Sequence, residues 1–166
     1  MAPLTVYIIG ATGNTGSSIV DALLERQTEF VRGAFIISND VGLNSSNSQK
    51  IIAAVRPSSS DKPAVTALRT RGVDVHIVDI ASSSHMELVD ELRGIDVVVS
   101  TFFPNEFPLQ KPLAKAAKEA GVTRFIPSDW ATACVRGAMR LHDMVRVSVI
   151  GMTDMHWISH PLCIES

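Results

Sequence analysis

The feature that most constrains this chain is a glycine triplet, Gly10-x-x-Gly13-x-x-Gly16, which lies between an apolar run and an amphipathic segment. Leu4–Ile9 is rich in β-branched residues, as expected of a buried strand, and the apolar residues of Asn14–Arg26 share one helical face. Glycine is needed where a Cβ would obstruct a sharp strand-to-helix turn or the approach of a ligand to it. The start of such a helix offers N–H groups and a positive dipole end to phosphate. The pattern predicts the phosphate-binding turn of a Rossmann-type domain, and its candidate residues are Gly10, Thr12, Gly13, Asn14, Thr15 and Gly16.

Strand-like and helix-like segments alternate along most of the chain, which is typical of βαβ units on a parallel sheet. The predicted strands are Leu4–Ile9, Ile51–Val55, Val73–Ile80, Ile95–Ser100 and Thr123–Pro127. The predicted helices are Asn14–Arg26, Pro63–Arg71, Ser84–Arg93 with Ser84 as its N-cap, and Pro112–Ala120, and the last three end at Gly72, Gly94 and Gly121. We therefore predict an α/β fold, a doubly wound parallel sheet with strand order 3-2-1-4-5 by analogy with Rossmann domains, incomplete at its C-terminal side.

Two segments do not follow this alternation. Residues 31–49 separate the first helix from the second strand and are rich in Ser and Asn, and residues 144–166 have no regular periodicity. We predict a single NAD(P)-binding domain over residues 1–143, with an insertion at 31–49 and a tail at 144–166 that is foreign to it. Both segments begin near a Val-Arg pair whose codons could include a splice donor, so we interpret them as translated introns or as an alternative transcript.

Composition argues against several functional classes. Hydrophobic residues make up 46% and charged residues 19% of the chain, as in globular domains, and the formal net charge of −2 has no basic stripe suited to nucleic acid. No apolar run approaches the roughly 20 residues of a membrane span, and the N-terminal sequence does not resemble a secretory signal, so we expect a cytoplasmic protein. Cys134 and Cys163 have no metal-type spacing, and His156 and His160 lie in the irregular tail, so we expect no metal site.

The end of the second strand predicts which dinucleotide binds. An acidic residue there would accept a hydrogen bond from a ribose 2′-hydroxyl and select NAD, whereas an arginine would pair with a 2′-phosphate and select NADP. Arg56 follows Ile51–Val55 and favours NADP(H). In an alternative register Ala34–Ser38 is the second strand, with Asp40 at its tip, about 20 residues past the glycines. We favour Arg56, because removing roughly twenty inserted residues brings it to that same distance.

Four stretches of sequence resemble, in order, the NmrA-like and isoflavone reductase-like family of atypical short-chain dehydrogenases/reductases. They are Gly-Ala-Thr-Gly-Asn-Thr-Gly from Gly10, Ala-Ala-Val-Arg-Pro-Ser from Ala53, Gly-Ile-Asp-Val-Val-Val-Ser-Thr from Gly94, and Ala-Gly-Val-Thr-Arg-Phe-Ile-Pro-Ser-Asp-Trp from Ala120. The resemblance covers about residues 4–30 and 51–143. It implies an NADP(H) site with the glycine turn at the pyrophosphate, Arg56 at the 2′-phosphate, Asp79 near the adenine, and Thr101 and Phe102 beside the ribose and nicotinamide.

The catalytic residues of the family, unlike its cofactor-binding residues, have no matching positions in this chain. Reductases of the family use a lysine on the helix after the fifth strand, but no lysine follows Lys118 in this chain. The Tyr-x-x-x-Lys pair of classical short-chain dehydrogenases is also missing, since the only tyrosine is Tyr7 in the first strand. The remaining catalytic candidates are Ser128, Asp129 and His142, at or beyond the carboxyl end of the fifth strand.

These observations lead to two main hypotheses. The first is an NADPH-dependent oxidoreductase of a small molecule, of which this chain supplies the cofactor half, because relatives continue into a sixth strand and a substrate-binding region. The second is a redox-sensing regulator that binds NAD(P) and acts through a protein partner without turnover. A third interpretation, a non-functional fragment, follows from the expected loss of the sixth strand.

Overall fold

The computed structural model describes residues 4–25, 30–31, 34–35 and 49–128. Its strands are β1 (Thr5–Ile9), β2 (Phe30–Val31), β3 (Ala34–Phe35), β4 (Lys50–Val55), β5 (Asp74–Ile77), β6 (Val97–Ser100) and β7 (Arg124–Ile126). Its α-helices are α1 (Asn14–Glu25), α2 (Pro63–Thr70), α3 (His85–Glu91) and α4 (Gln110–Glu119). Two 3-10 turns, Pro57–Ser59 and Pro104–Leu109, follow β4 and β6.

Five strands form one parallel sheet in the order β5-β4-β1-β6-β7. Counting only these five strands along the chain, the order is 3-2-1-4-5, which confirms the predicted doubly wound topology. β1 lies at the centre, pairing with β4 from Thr5 to Ile9 and with β6 from Val6 to Ile9. The strand order therefore reverses beside β1, and open α/β sheets bind ligands at the carboxyl ends of the strands around such a point.

The two faces of the sheet are both buried because alternate side chains of each strand point to opposite sides. Tyr7 and Ile9 of β1 pack with α3 and α4, whereas Val6 and Ile8 pack on the other side with α1 and α2. The covering residues from α3 and α4 include Leu88, Val89, Leu113 and Ala117, and those from α1 and α2 include Val20 and Leu68. A helical layer on each face explains why β1 and β4 are nearly continuous apolar runs.

The alternative register, in which Ala34–Ser38 is the second strand of the sheet, is wrong. Ala34–Phe35 pairs antiparallel with Phe30–Val31 in a separate two-stranded sheet, and Lys50–Val55 occupies the place beside β1. Asp40 lies outside the described residues, as do Asp129, His142 and the segment 144–166. The insertion at 31–49 and the tail stay predictions.

The predicted helix ends are close to the observed ones, and the local chemistry shows why. Gly72, Gly94 and Gly121 follow α2, α3 and α4 with φ of 83°, 76° and 84°, a left-handed conformation that glycine adopts without strain. Ser84 forms a capping box with Glu87 at the start of α3. Two expectations were less accurate: the third sheet strand pairs only over Asp74–Ile77, and the turn Pro104–Leu109 was not predicted.

Candidate nucleotide-binding cleft

A cleft of about 410 Å³ opens at the carboxyl ends of β1, β4, β5 and β6. Its walls come from the loops that follow these four strands, where the sequence predicted the cofactor residues. Seven predicted residues line it: Gly10, Thr12, Gly13, Arg56, Asp79, Thr101 and Phe102. Three other predicted residues, Asn14, Thr15 and Gly16, form the first turn of α1 without lining the cleft, and the first two are exposed at its surface.

The glycine turn is closely packed on its inner side. Gly10 has φ +78°, and a Cβ there would lie 2.5 Å from Thr101 Oγ1 and 2.7 Å from the Thr101 carbonyl oxygen. A Cβ on Gly16 would overlap the carbonyl oxygen of Gly10. Thr101 in turn donates its hydroxyl to the Ile9 carbonyl over 2.7 Å, which ties the turn to the end of β6. The turn therefore requires glycine for its own geometry, while Thr12 and Gly13 remain exposed toward the cleft.

The wall after β4 carries two cations. Arg56 directly follows the strand, the turn Pro57–Ser59 reverses the chain, and Lys62 lines the cleft just before α2 begins. The Ser59 N–H donates to the Arg56 carbonyl over 2.9 Å, and the Lys62 N–H donates to the Ser59 carbonyl over 3.2 Å, so backbone contacts fix this reversal. Sequence reasoning missed Lys62, although a lysine six residues past Arg56 and directly before Pro63 was available as a signal.

A carboxylate from the opposite wall contacts Arg56. Glu106, in the turn Pro104–Leu109, accepts a hydrogen bond from Arg56 Nη1 over 2.6 Å. The Glu106 side chain is 25% exposed and the Arg56 side chain 61% exposed. This ion pair joins the loop after β4 to the loop after β6 across the cleft, and no local sequence pattern indicates it because the partners are fifty residues apart.

Asp79 stands in the loop after β5 and is half-buried. Its Oδ1 accepts the Ala81 N–H over 3.1 Å, and its carbonyl accepts the Ser83 hydroxyl over 2.8 Å. These contacts hold the loop in a fixed turn with the carboxylate at the cleft. Within the described ranges, no group of three or more His, Cys, Asp or Glu is arranged to hold a metal ion.

Ser128 is the only proposed catalytic residue within the described residues, and it is buried beside the cleft without lining it. Its hydroxyl donates to the Phe102 carbonyl over 3.0 Å, and its N–H donates to Gln110 Oε1 over 2.6 Å. Gln110 Oε1 also accepts the Ser100 hydroxyl over 2.9 Å. The side chain of Gln110, which sequence reasoning missed, thus joins the ends of β6 and β7 and the start of α4. A catalytic role for Ser128 stays a prediction.

The family of this chain follows from its similarity to known proteins. Residues 3–140 match the model of the NmrA-like family. The chain belongs to the NmrA-like family. This is an NAD(P)-binding family, and the chain's relatives in it include oxidoreductases.

Two curated relatives illustrate the similarity of this NmrA-like chain. It is 38% identical over 145 residues to asnovolin J 5′,6′-dehydrogenase of Aspergillus novofumigatus, a match that covers 87% of this chain and 38% of that protein. It is 29% identical over 132 residues to pinoresinol reductase 2 of Arabidopsis thaliana, covering 75% of this chain and 35% of that protein. The chain thus spans less than half of the length of these relatives.

Solved structures show the same fold. The complex of leucoanthocyanidin reductase from Vitis vinifera with NADPH is 26% identical with a TM-score of 0.60, covering 86% of this chain and 42% of that one. AtPrR2 with NADP+ and (+)-pinoresinol is 21% identical with a TM-score of 0.63, covering 92% and 46%. The second match supports the fold alone.

Proposed function

We propose that this chain is the NADP(H)-binding part of an NADPH-dependent oxidoreductase that acts on a small molecule. The observation that carries the proposal is the pair of cations, Arg56 and Lys62, on the wall after β4. An NAD-selective domain has an acidic residue at the end of this strand, whereas two cations suit a dianionic 2′-phosphate. The complex of leucoanthocyanidin reductase with NADPH, at 26% identity, supports the same cofactor.

The residues of the cleft fit this cofactor. The glycine turn presents the start of α1 to the pyrophosphate, Arg56 and Lys62 hold the 2′-phosphate, and Asp79 lies at the adenine side. Thr101 and Phe102 face the ribose and the nicotinamide. NADPH, when bound, supplies the hydride, and the protein contributes binding and orientation. For the substrate we propose a small aromatic or quinone-like molecule, in line with the names of the pinoresinol and isoflavone reductase relatives.

The test of the cofactor measures the Kd values of NADPH and NADH for the chain and its variants. We expect R56Q to weaken NADPH binding by roughly ten- to a hundredfold, because charge-assisted hydrogen bonds to the phosphate are lost, and to leave NADH binding unchanged. K62Q should act in the same direction. R69Q, which removes an exposed arginine of α2 outside the cleft, is the matched control. Equal affinities of the unaltered chain for NADPH and NADH would contradict the proposal.

A regulatory role without turnover is the second candidate. Among the described residues, the ionisable side chains that line the cleft are Arg56, Lys62, Asp79 and Glu106, all from the loops after β4, β5 and β6. In the proposed complex Arg56, Lys62 and Asp79 belong to the adenosine side, and Glu106 is paired with Arg56. None of these four side chains is therefore placed to donate a proton at the nicotinamide. A regulator must bind NADP+ and NADPH with different affinities. We expect such a difference, together with no NADPH oxidation by carbonyl, enone and quinone acceptors, only if this candidate is correct.

A further inference from the structure

We propose that Glu106 reduces the preference of the cleft for NADPH, because it is the counterion of Arg56 and a 2′-phosphate has to draw the guanidinium away from it. The inference rests on the proposed binding of NADP(H) and adds a residue that opposes it. Its basis is the 2.6 Å contact between Glu106 Oε1 and Arg56 Nη1, made from opposite walls of the same cleft.

Glu106 is the fixed partner of this ion pair. It sits in a turn that begins at Pro104 and contains Pro108, and its own N–H donates to the Phe103 carbonyl over 2.8 Å. Proline fixes φ at both positions, so the backbone that carries Glu106 has little freedom. Arg56 has a long side chain that is more than twice as exposed. A ligand that competes for the guanidinium would therefore move Arg56 and leave the carboxylate in place.

The Glu106 carboxylate, which stays in place, acts differently on NADPH and NADH. It repels a 2′-phosphate bound to Arg56 and Lys62, because like charges at short range cost free energy in a partly desolvated cleft. A ribose 2′-hydroxyl has no such charge, and a carboxylate is the group that accepts its hydrogen bond in NAD-binding domains. Glu106 thus supplies from the wall after β6 the acidic group that the end of β4 lacks. Arg56 and Lys62 favour NADPH, Glu106 opposes them, and the net preference is smaller than the two cations alone would give.

The test is a double-mutant cycle on the full 166-residue chain, with Kd values of NADPH and NADH as the readout. We expect E106Q to tighten NADPH binding by roughly three- to tenfold, since the carboxylate charge is removed while the side chain keeps its size, and to leave NADH binding unchanged or weaker. In the R56Q background the gain from E106Q should be smaller, because the competition for the guanidinium is gone and only the repulsion between Glu106 and the phosphate remains. Raising the salt concentration should reduce the gain from E106Q, because the pair is partly exposed.

Two further variants complete the design. E119Q removes the charge of an exposed glutamate that pairs with His85 on α3 and does not line the cleft, so it should leave both Kd values unchanged. E106A removes the carboxylate together with most of the side chain and should shift NADPH binding in the same direction as E106Q. Thermal melts of each variant establish that it is folded.

The outcomes separate this inference from the proposed function. If R56Q abolishes the preference for NADPH while E106Q and E106A leave NADPH binding unchanged or weaken it, Glu106 is not a competitor and only the inference is overturned. If R56Q leaves NADPH binding unchanged, the assignment of the 2′-phosphate to Arg56 is wrong, and the inference falls with it. A chain that is folded but binds neither nucleotide overturns both.

Discussion

Gly16 shows how a single methyl group would disturb the cleft. Its φ is an ordinary negative one, but a Cβ would overlap the Gly10 carbonyl, which is backbone and has little room to move. We expect Gly16→Ala to shift α1 away from β1, to lower the free energy of unfolding by about 2 kcal/mol or more, and to weaken NADPH binding by more than tenfold. Urea unfolding and NADPH titration measure the two effects.

Gly94 offers a matched comparison for the Gly16 variant. It has φ +76° with open space where a methyl group would lie, so Gly94→Ala strains the backbone without touching the cleft. We expect a loss of stability of about 1 kcal/mol and unchanged NADPH affinity. If Gly94→Ala weakened NADPH binding as much as Gly16→Ala, general destabilisation and not the turn would be the cause.

Gln110 is the second residue whose contacts predict a measurable effect. Its Oε1 accepts from both the Ser100 hydroxyl and the Ser128 N–H at the ends of β6 and β7, and the residue is 1% exposed. Gln110→Ala removes this shared acceptor and leaves a cavity, so we expect the free energy of unfolding to fall by about 2–3 kcal/mol. Lys111→Ala, at the exposed neighbouring position of α4, should change it by less than about 0.5 kcal/mol. Similar effects of the two substitutions would argue against the proposed structural role of Gln110.

The site residues that were predicted from the sequence differ from those that were not in how far along the chain their contact partners lie. Arg56 and the glycine turn were predicted because their roles follow from positions relative to one strand or one helix. Glu106 and Gln110 act on residues that lie fifty and eighteen positions away, and no local pattern encodes which side chain they meet. Lys62 is an intermediate case: it is close to Arg56 in sequence and occupies the N-cap position before Pro63, but its side chain makes no capping hydrogen bond, so this position does not by itself indicate a role in the cleft.

Helix α3 carries a pH-dependent contact at its start. The Ser84 N–H donates to Glu87 Oε2 over 2.7 Å, and this bond, followed by the one involving the Ser84 side chain, lowers the pKa of Glu87 below its ordinary value. A carboxyl group whose pKa is lower in the folded state stabilises the fold above its ordinary pKa, and that contribution is lost as the pH falls through the folded value. We expect the stability difference between the unaltered chain and Glu87→Ala to shrink as the pH falls from neutral toward and below the ordinary glutamate range.

Urea unfolding at a series of pH values tests the capping-box prediction. Asp61→Ala removes an exposed carboxylate from the loop before α2 and serves as the control. A difference between Glu87→Ala and the unaltered chain that stays constant down to acidic pH would show that the ionised carboxylate is not what stabilises the start of α3.

Elements were predictable where periodicity and end signals agree. The helices α2 and α3 lie within their predicted ranges, because a capping serine or an initial proline marks each start and a left-handed glycine follows each end. The third sheet strand was predicted too long because its apolar pattern continues to Ile80, past the last residue that pairs with β4. The turn Pro104–Leu109 has two prolines and no periodicity, so it was not predicted from the sequence.

The stability of the whole sheet is linked to the protonation of one residue. Tyr7 lies at the centre of β1, is 1% exposed and donates its hydroxyl to Glu91 Oε1 over 3.1 Å, while His76 Nδ1 lies 2.6 Å from the same oxygen. Burial, and secondarily the charge of Glu91 and the hydrogen bond to it, raises the pKa of Tyr7 far above its ordinary value of 10.0. Because Tyr7 is in the middle strand with helices on both faces, we expect it to reach solvent only when the sheet as a whole unfolds.

That burial predicts how the molecule responds to alkali. Above about pH 10 the unfolded chain releases the Tyr7 proton and the folded chain keeps it, so the unfolded state binds fewer protons and stability falls as the pH rises, by up to about 1.4 kcal/mol per pH unit. Tyr7 is the only tyrosine of the sequence, so tyrosinate absorbance reports on this group alone. We expect no ionisation near pH 10 in the folded chain, ionisation near pH 10 in urea, and a shallower alkaline loss of stability in Tyr7→Phe. Reversible ionisation in the ordinary tyrosine range in the folded chain, with its circular dichroism unchanged, would mean that Tyr7 is accessible without global unfolding and that the centre of the sheet is not closed.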